Sequence, residues 1–325
     1  METKLSVSEV SSIARTIADV KSEVAKAFYG HEKVVDSLIR ALLCNGHVLI
    51  EGVPGIAKTL LIKALAEASG CSFKRVQFTV DLLPSDIIGI TTYDPKRGFS
   101  VVKGPLFTQF LIADEINRSP PKTQSALIEA MQEGQVSIGT TTFPLPRPFF
   151  VMANQNPIES EGVYSLPEAQ VDRFLFKVVF SYPQEVDELH IMEHNATFSE
   201  FKEYELKARL TPQKILDLQK LTHRIYIDQK IKKYILSLVT KTRNKDFVHG
   251  EFISLGASPR ASIALFIAAK AEALIRGRNY VLPQDVQAVI YDVLRHRVLL
   301  NYRARSEQIQ IEQVISELVK SVRLP

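Results

Sequence analysis

The chain has 325 residues, 46% hydrophobic and 23% charged, enough apolar sequence for a substantial core and, as a prior, for two domains. Its formal net charge of +4 is mild for this length and offers no electrostatic reason to expect nucleic acid or an anionic membrane as partner. The opening METKLSVSEV lacks the apolar centre of a signal peptide, and the late stretch SIALFIAAKAEALI is broken by Lys270 and Glu272 and is too short to span a bilayer, so a cytoplasmic protein without membrane insertion is expected.

The first 40 or so residues read as helix. Val20, Val24, Ala27 and Phe28 recur at helical spacing, as do Val34, Val35, Leu38, Ile39 and Leu42, with YGHE and its Gly30 as the break. Short apolar runs of strand length follow: HVLIE (47–51), SFKRVQF (72–78), FLIAD (110–114), PFFVMAN (148–154) and FLFKVVF (174–180). Helical patterns over Thr59–Ala68, Pro120–Met131 and Pro167–Asp172 separate most of them, with Ser119 as the expected N-cap before Pro120. Apolar strands alternating with helices predict an α/β domain with a parallel five-stranded sheet covered on both faces. The stretches 89–105 and 134–146 read as hairpins that leave the sheet. After about residue 198 the pattern is helical: Pro212–Thr222, Gln229–Thr242, Pro259–Arg276, Pro283–Arg297 and a segment near Glu307–Val322. The polar stretch Ala196–Leu210 is the expected linker. The domains expected are therefore 1–198, α/β, and 199–325, all helical. One disulfide could join Cys44 and Cys71, but two reduced, buried thiols are the expectation.

The chemistry-bearing residues begin with EGVPGIAKTLLIKA (51–64). Here Gly52-x-x-x-x-Ala57-Lys58-Thr59 follows a strand and opens a helix, the setting in which backbone N–H groups and a helix N-terminus cradle phosphate. Gly52, Val53, Pro54, Gly55, Ile56, Ala57, Lys58, Thr59 and Leu60 form this candidate nucleotide loop. Lys58 would neutralise the β- and γ-phosphates and Thr59 would ligate Mg²⁺. Gly52 and Gly55 are expected to supply unusual backbone angles. Ala57 stands where a glycine usually precedes Lys-Thr, so residue 57 is expected at negative φ with its methyl away from the phosphates. By itself the stretch also fits a plain Gly- and Pro-rich turn.

The second motif is FLIADE (110–115), an apolar strand ending in two acids. Asp114 would hold Mg²⁺ through its waters and Glu115 would act as general base on the attacking water. The third is ANQNP (153–157), where an amide beyond a strand tip could orient that water; Asn156 is preferred to Asn154, and an Asn-Pro turn is the plainer alternative. Arg173 in PEAQVDRF precedes a strand. Arg260 in SPRAS sits in the first turn of a helix, where a cation opposes the helix dipole and so suggests a separate use on an anion. A surface ion pair is the plainer alternative for either arginine, and Arg118 and Arg147 are weaker candidates.

Taken together, GVPGIAKT, LIADEINRSPPKTQSALIEAMQEGQV, ANQNP and GVYSLPEAQVDRFLF closely resemble the MoxR family of AAA+ ATPases over roughly residues 25–300. The resemblance implies a P-loop NTPase core and a helical lid, with ATP and Mg²⁺ as cofactors. It makes Ala57 a family feature, because MoxR loops commonly carry alanine before the lysine. It makes 89–105 the insertion within helix 2 and 134–146 the hairpin before sensor 1. Asn156 matches sensor 1, Arg173 the arginine finger acting on a neighbouring subunit, Arg260 sensor 2, and the region around Gly30 the adenine-side contact. A finger acting in trans implies a homo-oligomeric ring, usually a hexamer. The implied activity is ATP hydrolysis coupled to chaperone-like maturation of a partner complex, the partner being a separate protein with a von Willebrand factor A domain. Two other readings compete. One is a nucleic-acid translocase, in which Lys96, Arg97 and Lys103 touch phosphates. The other is a nucleotide-sensing scaffold without turnover, against which Glu115 and Arg173 argue.

Overall fold

The computed structural model describes residues 5–52, 57–96, 98–155, 164–183, 185–194 and 201–325. Helix α1 (Val7–Val24) begins at Ser6, whose side chain accepts from the Glu9 N–H while Glu9 reaches back to the Ser6 N–H. Helix α2 (Glu32–Leu43) follows the break at Gly30. Next come β1 (Val48–Gly52), α3 (Lys58–Ala68), β2 (Phe73–Gln77), α4 (Pro84–Ile88), β3 (Gly89–Asp94) and β4 (Gly98–Lys103). They lead into β5 (Phe110–Asp114), α5 (Pro121–Glu133), β6 (Gln135–Ile138), β7 (Thr141–Pro144), β8 (Phe150–Gln155), α6 (Glu168–Val171), β9 (Phe176–Phe180) and α7 (Glu185–His194). The remainder is α8 (Pro212–His223), α9 (Gln229–Asn244), β10 (Ile253–Leu255), α10 (Pro259–Ile275), α11 (Pro283–Leu294), β11 (Leu299–Leu300), α12 (Tyr302–Ser306) and α13 (Ile311–Ser321). The helical C-terminal part thus also carries a short antiparallel pair, β10 with β11.

The five predicted strands form one parallel sheet in the order β2-β5-β8-β1-β9. Successive side chains alternate between its faces. Ile50, Ile112, Met152 and Val178 join the core beneath α1, α2, α3 and the C-terminal helices. Leu49, Leu111, Ala113, Val151 and Ala153 join a second core under α5. Burial on both faces explains why these strands read as continuous apolar runs. Both predicted excursions are hairpins outside this sheet, β3 with β4 and β6 with β7.

Two local expectations shift. Ser119 does not cap α5: its hydroxyl donates to Ile116 O within a preceding turn of 3₁₀ helix, so Pro120 becomes the cap and Pro121 the first helical residue. The described part of the Ala196–Leu210 stretch, although polar, is anchored. Arg209 N–H donates to Ala68 O at 2.8 Å, Leu210 is buried, and Glu23 accepts from Arg209, Lys26 and the Lys207 N–H. Lys26 first, then the Lys207 N–H and Arg209, hold the buried Glu23 carboxyl down at about 2.

Candidate functional site

Strand β1 ends at Gly52, where an added Cβ would lie 2.5 Å from the Phe180 carbonyl oxygen of neighbouring β9. Glycine is therefore required by close approach; Gly52 is not among the positive-φ residues, which corrects the expectation of an unusual angle there. Val53, Pro54, Gly55 and Ile56, all named as phosphate-binding candidates, lie outside the described residues. The chain resumes at Ala57, the N-cap of α3, with φ 54° and ψ 30°. This overturns the expected negative φ, and with it the argument that alanine fits the loop through an ordinary backbone. Entry into α3 places a left-handed residue directly before Lys58, and Ala57 adopts the conformation that suits glycine.

An L-residue in that region is strained by about 1–2 kcal/mol. Replacing it by glycine gives back about 0.4–1 kcal/mol through the looser unfolded chain. Ala57→Gly is therefore expected to stabilise the protein by roughly 0.5–1 kcal/mol, a rise of a degree or two in the thermal midpoint for a chain of this size. A lowered midpoint would mean that the left-handed alanine carries no strain to relieve.

Lys58 opens α3 and donates to Gly52 O at 2.5 Å, folding its side chain back across the loop. Burial pushes its ammonium pKa down, while Asp114, Glu115 and Glu51, in that order, pull it back up. Thr59 and Leu60 follow in the first turn, both half-buried.

Asp114 and Glu115 sit at the carboxyl end of β5. Both oxygens of the buried Asp114 carboxylate accept hydrogen bonds, one from Asn154 Nδ2 and one from Arg75 Nε at 2.8 Å. Glu115 is turned out of the strand at φ 55°. Its N–H donates to Asn154 Oδ1 at 2.6 Å, and its carboxylate meets Gln77 Nε2 at 2.8 Å and Arg118 Nε at 3.0 Å. Asn154, the less favoured of the two amides, thus bonds one acid through each side-chain polar atom. Asn156 lies outside the described residues. Arg75 and Gln77 were not singled out from the sequence. The alternation of SFKRVQF was the available signal, because polar positions on β2 beside the tip of β5 must face the acids; Gln77 pairs in register with Asp114.

Of the remaining basic candidates, Arg118 lies at the acid pair, whereas Arg147 precedes β8 at the opposite end of the sheet. Arg173 is exposed just after α6 and donates to Gln132 Oε1. Arg260 occupies the second position of α10 and points to Asp172 Oδ2 at 3.5 Å. Gly30 has φ 75° and His31 φ 55°; the His31 ring lies 4.7 Å from that of Phe180, the last residue of β9. Gly30 and His31 line a cleft of about 1150 Å³ with Lys21, Tyr182, Asp187 and Arg276. On the β3–β4 hairpin, Lys103 lies over the Phe107 ring at 4.8 Å, and Arg97 is outside the described residues. Among the described residues no helix is long and apolar enough to cross a membrane. Cys44 and Cys71 are both free thiols; Cys71 is buried and Cys44 half-buried.

This geometry has counterparts. A family model described as ATPase family associated with various cellular activities (AAA) matches residues 47–176, and one described as AAA lid domain matches residues 246–318. The chain is 45% identical to Chaperone MoxR1 of Mycobacterium tuberculosis, over 98% of this chain and 83% of that one. It is 43% identical to the protein YeaC of Bacillus subtilis, over 93% and 92%. A crystal structure of a candidate ATPase from Cytophaga hutchinsonii superposes with a TM-score of 0.91 at 42% identity, covering 98% of both chains.

Proposed function

The chain belongs to the MoxR family of AAA+ ATPases, and from that premise we propose that it binds ATP with Mg²⁺, hydrolyses it, and couples turnover to chaperone-like remodelling of a partner complex. The observation that carries the reading is that Lys58, at the head of α3 after β1, and Asp114 and Glu115, at the tip of β5, stand at the same carboxyl end of the sheet, because β1 and β5 both run parallel to β8 between them. Open parallel sheets bind ligands beyond the carboxyl ends of their strands. In this reading the loop from Gly52 to Leu60 cradles the phosphates and Gly30 flanks the base. The domain boundary falls between residues 198 and 199.

The Thr59 hydroxyl and the Asp114 carboxylate are hard oxygen donors that suit Mg²⁺, an ion that usually takes only one or two carboxylates and completes its shell with phosphate and water. Bound there, the ion would supply charge neutralisation at the phosphates. Glu115 holds the attacking water as general base and Asn156 orients it, while Asn154 keeps both acids in place. Arg173 reaches the γ-phosphate bound by a neighbouring subunit, which requires a ring, by family habit a hexamer, and Arg260 reaches it from the lid. Two free thiols suit a reducing, cytoplasmic setting.

Lys58→Ala is the direct test. Losing a charge-assisted contact is worth about 1.5–3 kcal/mol, so affinity for a fluorescent ATP analogue should fall roughly 10- to 150-fold without a change in melting temperature. Binding at wild-type strength would sink the loop assignment. The partner is the second part of the proposal. Immobilised Glu115→Gln protein in ATP should retain a protein carrying a von Willebrand factor A domain and release it in ADP; equal retention in both nucleotides would remove the coupling.

A further inference from the structure

Asp172 lies between the two arginines that the proposed mechanism uses at a distance. It ends α6 and directly precedes Arg173. Its Oδ1 accepts from Arg297 Nε at 2.8 Å, and its Oδ2 accepts from Ser258 Oγ at 3.0 Å, with Arg260 Nη1 at 3.5 Å. Ser258 is the N-cap of α10, so the helix start that carries Arg260 is attached to the residue beside Arg173.

Arg297 makes the attachment firm. It is 7% exposed, and its guanidinium also donates to Asp172 O at 3.1 Å, Phe174 O at 2.6 Å, Leu175 O at 3.0 Å and Val293 O at 2.7 Å. These acceptors flank Arg173 on both sides in the chain and reach back into α11. A buried guanidinium is tolerated only while it is paired and its donors are used, so displacing residues 172–175 from α11 would strand a buried cation. The contact to Arg260 is of another kind. It is long and its arginine side chain is 50% exposed, so it can break and leave the Arg297 pair intact.

We propose that Asp172 is a positioning residue that binds the Arg173 segment to the lid through Arg297 and Ser258 and parks Arg260 until nucleotide draws it away. Arg173 and Arg260, which stand together before the start of β9, are then presented jointly to the site that Arg173 serves next door. This inference rests on the reading of Arg173 and Arg260 given above.

The test is Asp172→Asn, which keeps the shape and removes the charge. The full chain is assayed for steady-state ATP turnover, binding of a fluorescent ATP analogue, and melting. The expected result is a kcat at least 10-fold lower, with nucleotide affinity within about 3-fold of wild type. A purely structural role would instead move melting and affinity together with kcat. Asp172→Glu, which retains the charge, should recover part of the loss. Where Asp172→Asn fails to fold, Ser258→Ala removes one contact to the same carboxylate and should lower kcat about 3-fold at unchanged affinity. Wild-type kcat in the folded variant, or a loss that only parallels affinity or melting, overturns the inference. Arg173→Ala separates it from its premise. If Arg173→Ala is inactive while Asp172→Asn turns over normally, only the positioning role falls. If Arg173→Ala turns over normally, the finger assignment falls and this inference falls with it.

Discussion

Arg173→Ala subunits are expected to bind ATP normally yet lose about 10³-fold or more in turnover, the range over which an arginine placed on a transferring phosphoryl group acts. Binding survives because the subunit's own loop, with Lys58 at the head of α3, is untouched. Turnover is lost because catalysis of phosphoryl transfer is largely positive charge aimed at the equatorial oxygens. Arg173 is suited to serve a neighbour: it is exposed, and among the described residues its guanidinium donates to the neutral amide of Gln132. Inactive Arg173→Ala subunits mixed with inactive Lys58→Ala subunits should therefore recover activity, since the second can supply the arginine that the first lacks. Verified mixed rings that stay inactive would count against action in trans.

Glu115→Gln should bind ATP with wild-type affinity and lose roughly 10²- to 10⁴-fold in kcat, the usual contribution of a positioned general base. Glutamine preserves the side chain's size and one acceptor, so the contacts to Gln77 and Arg118 can be partly kept while the capacity to take a proton is removed. The backbone at residue 115 is left-handed and its N–H is held by Asn154, which aims the carboxylate away from the strand that buries Asp114. Such an outlier is strained, and it persists because the amide beside it over-determines the turn. Single-turnover and steady-state phosphate release would both register the loss; normal hydrolysis would make another residue the base.

Much of this arrangement is local and is therefore written in the chain. The runs HVLIE, FLIAD and PFFVMAN predict buried parallel strands because a sheet covered on both faces admits apolar side chains in either direction. Lys58 at a helix start, and Asp114 with Glu115 at a strand end, follow from sequence neighbours alone, and so does the chemistry they propose. The two hairpins follow from turn residues between strand-like arms.

What local pattern could not decide was set by contacts between distant segments. Gly52 is required by the approach of Phe180 on a neighbouring strand, a constraint that no property of residues 51–64 encodes. The sign of φ at Ala57 depends on how the loop must enter α3, where tertiary demand overrides the preference of an L-residue. Asn154 reaches the acid pair across 40 residues of sequence, and Arg297 reaches Asp172 across 125. A polar residue reveals its part only when folding removes water from around it and leaves one particular partner within hydrogen-bonding distance. The sequence by itself determined which groups could do chemistry on a phosphate; pairing of strands within the sheet decided which groups hold them, and packing of the sheet against the C-terminal helices decided which arginines stand beside Asp172.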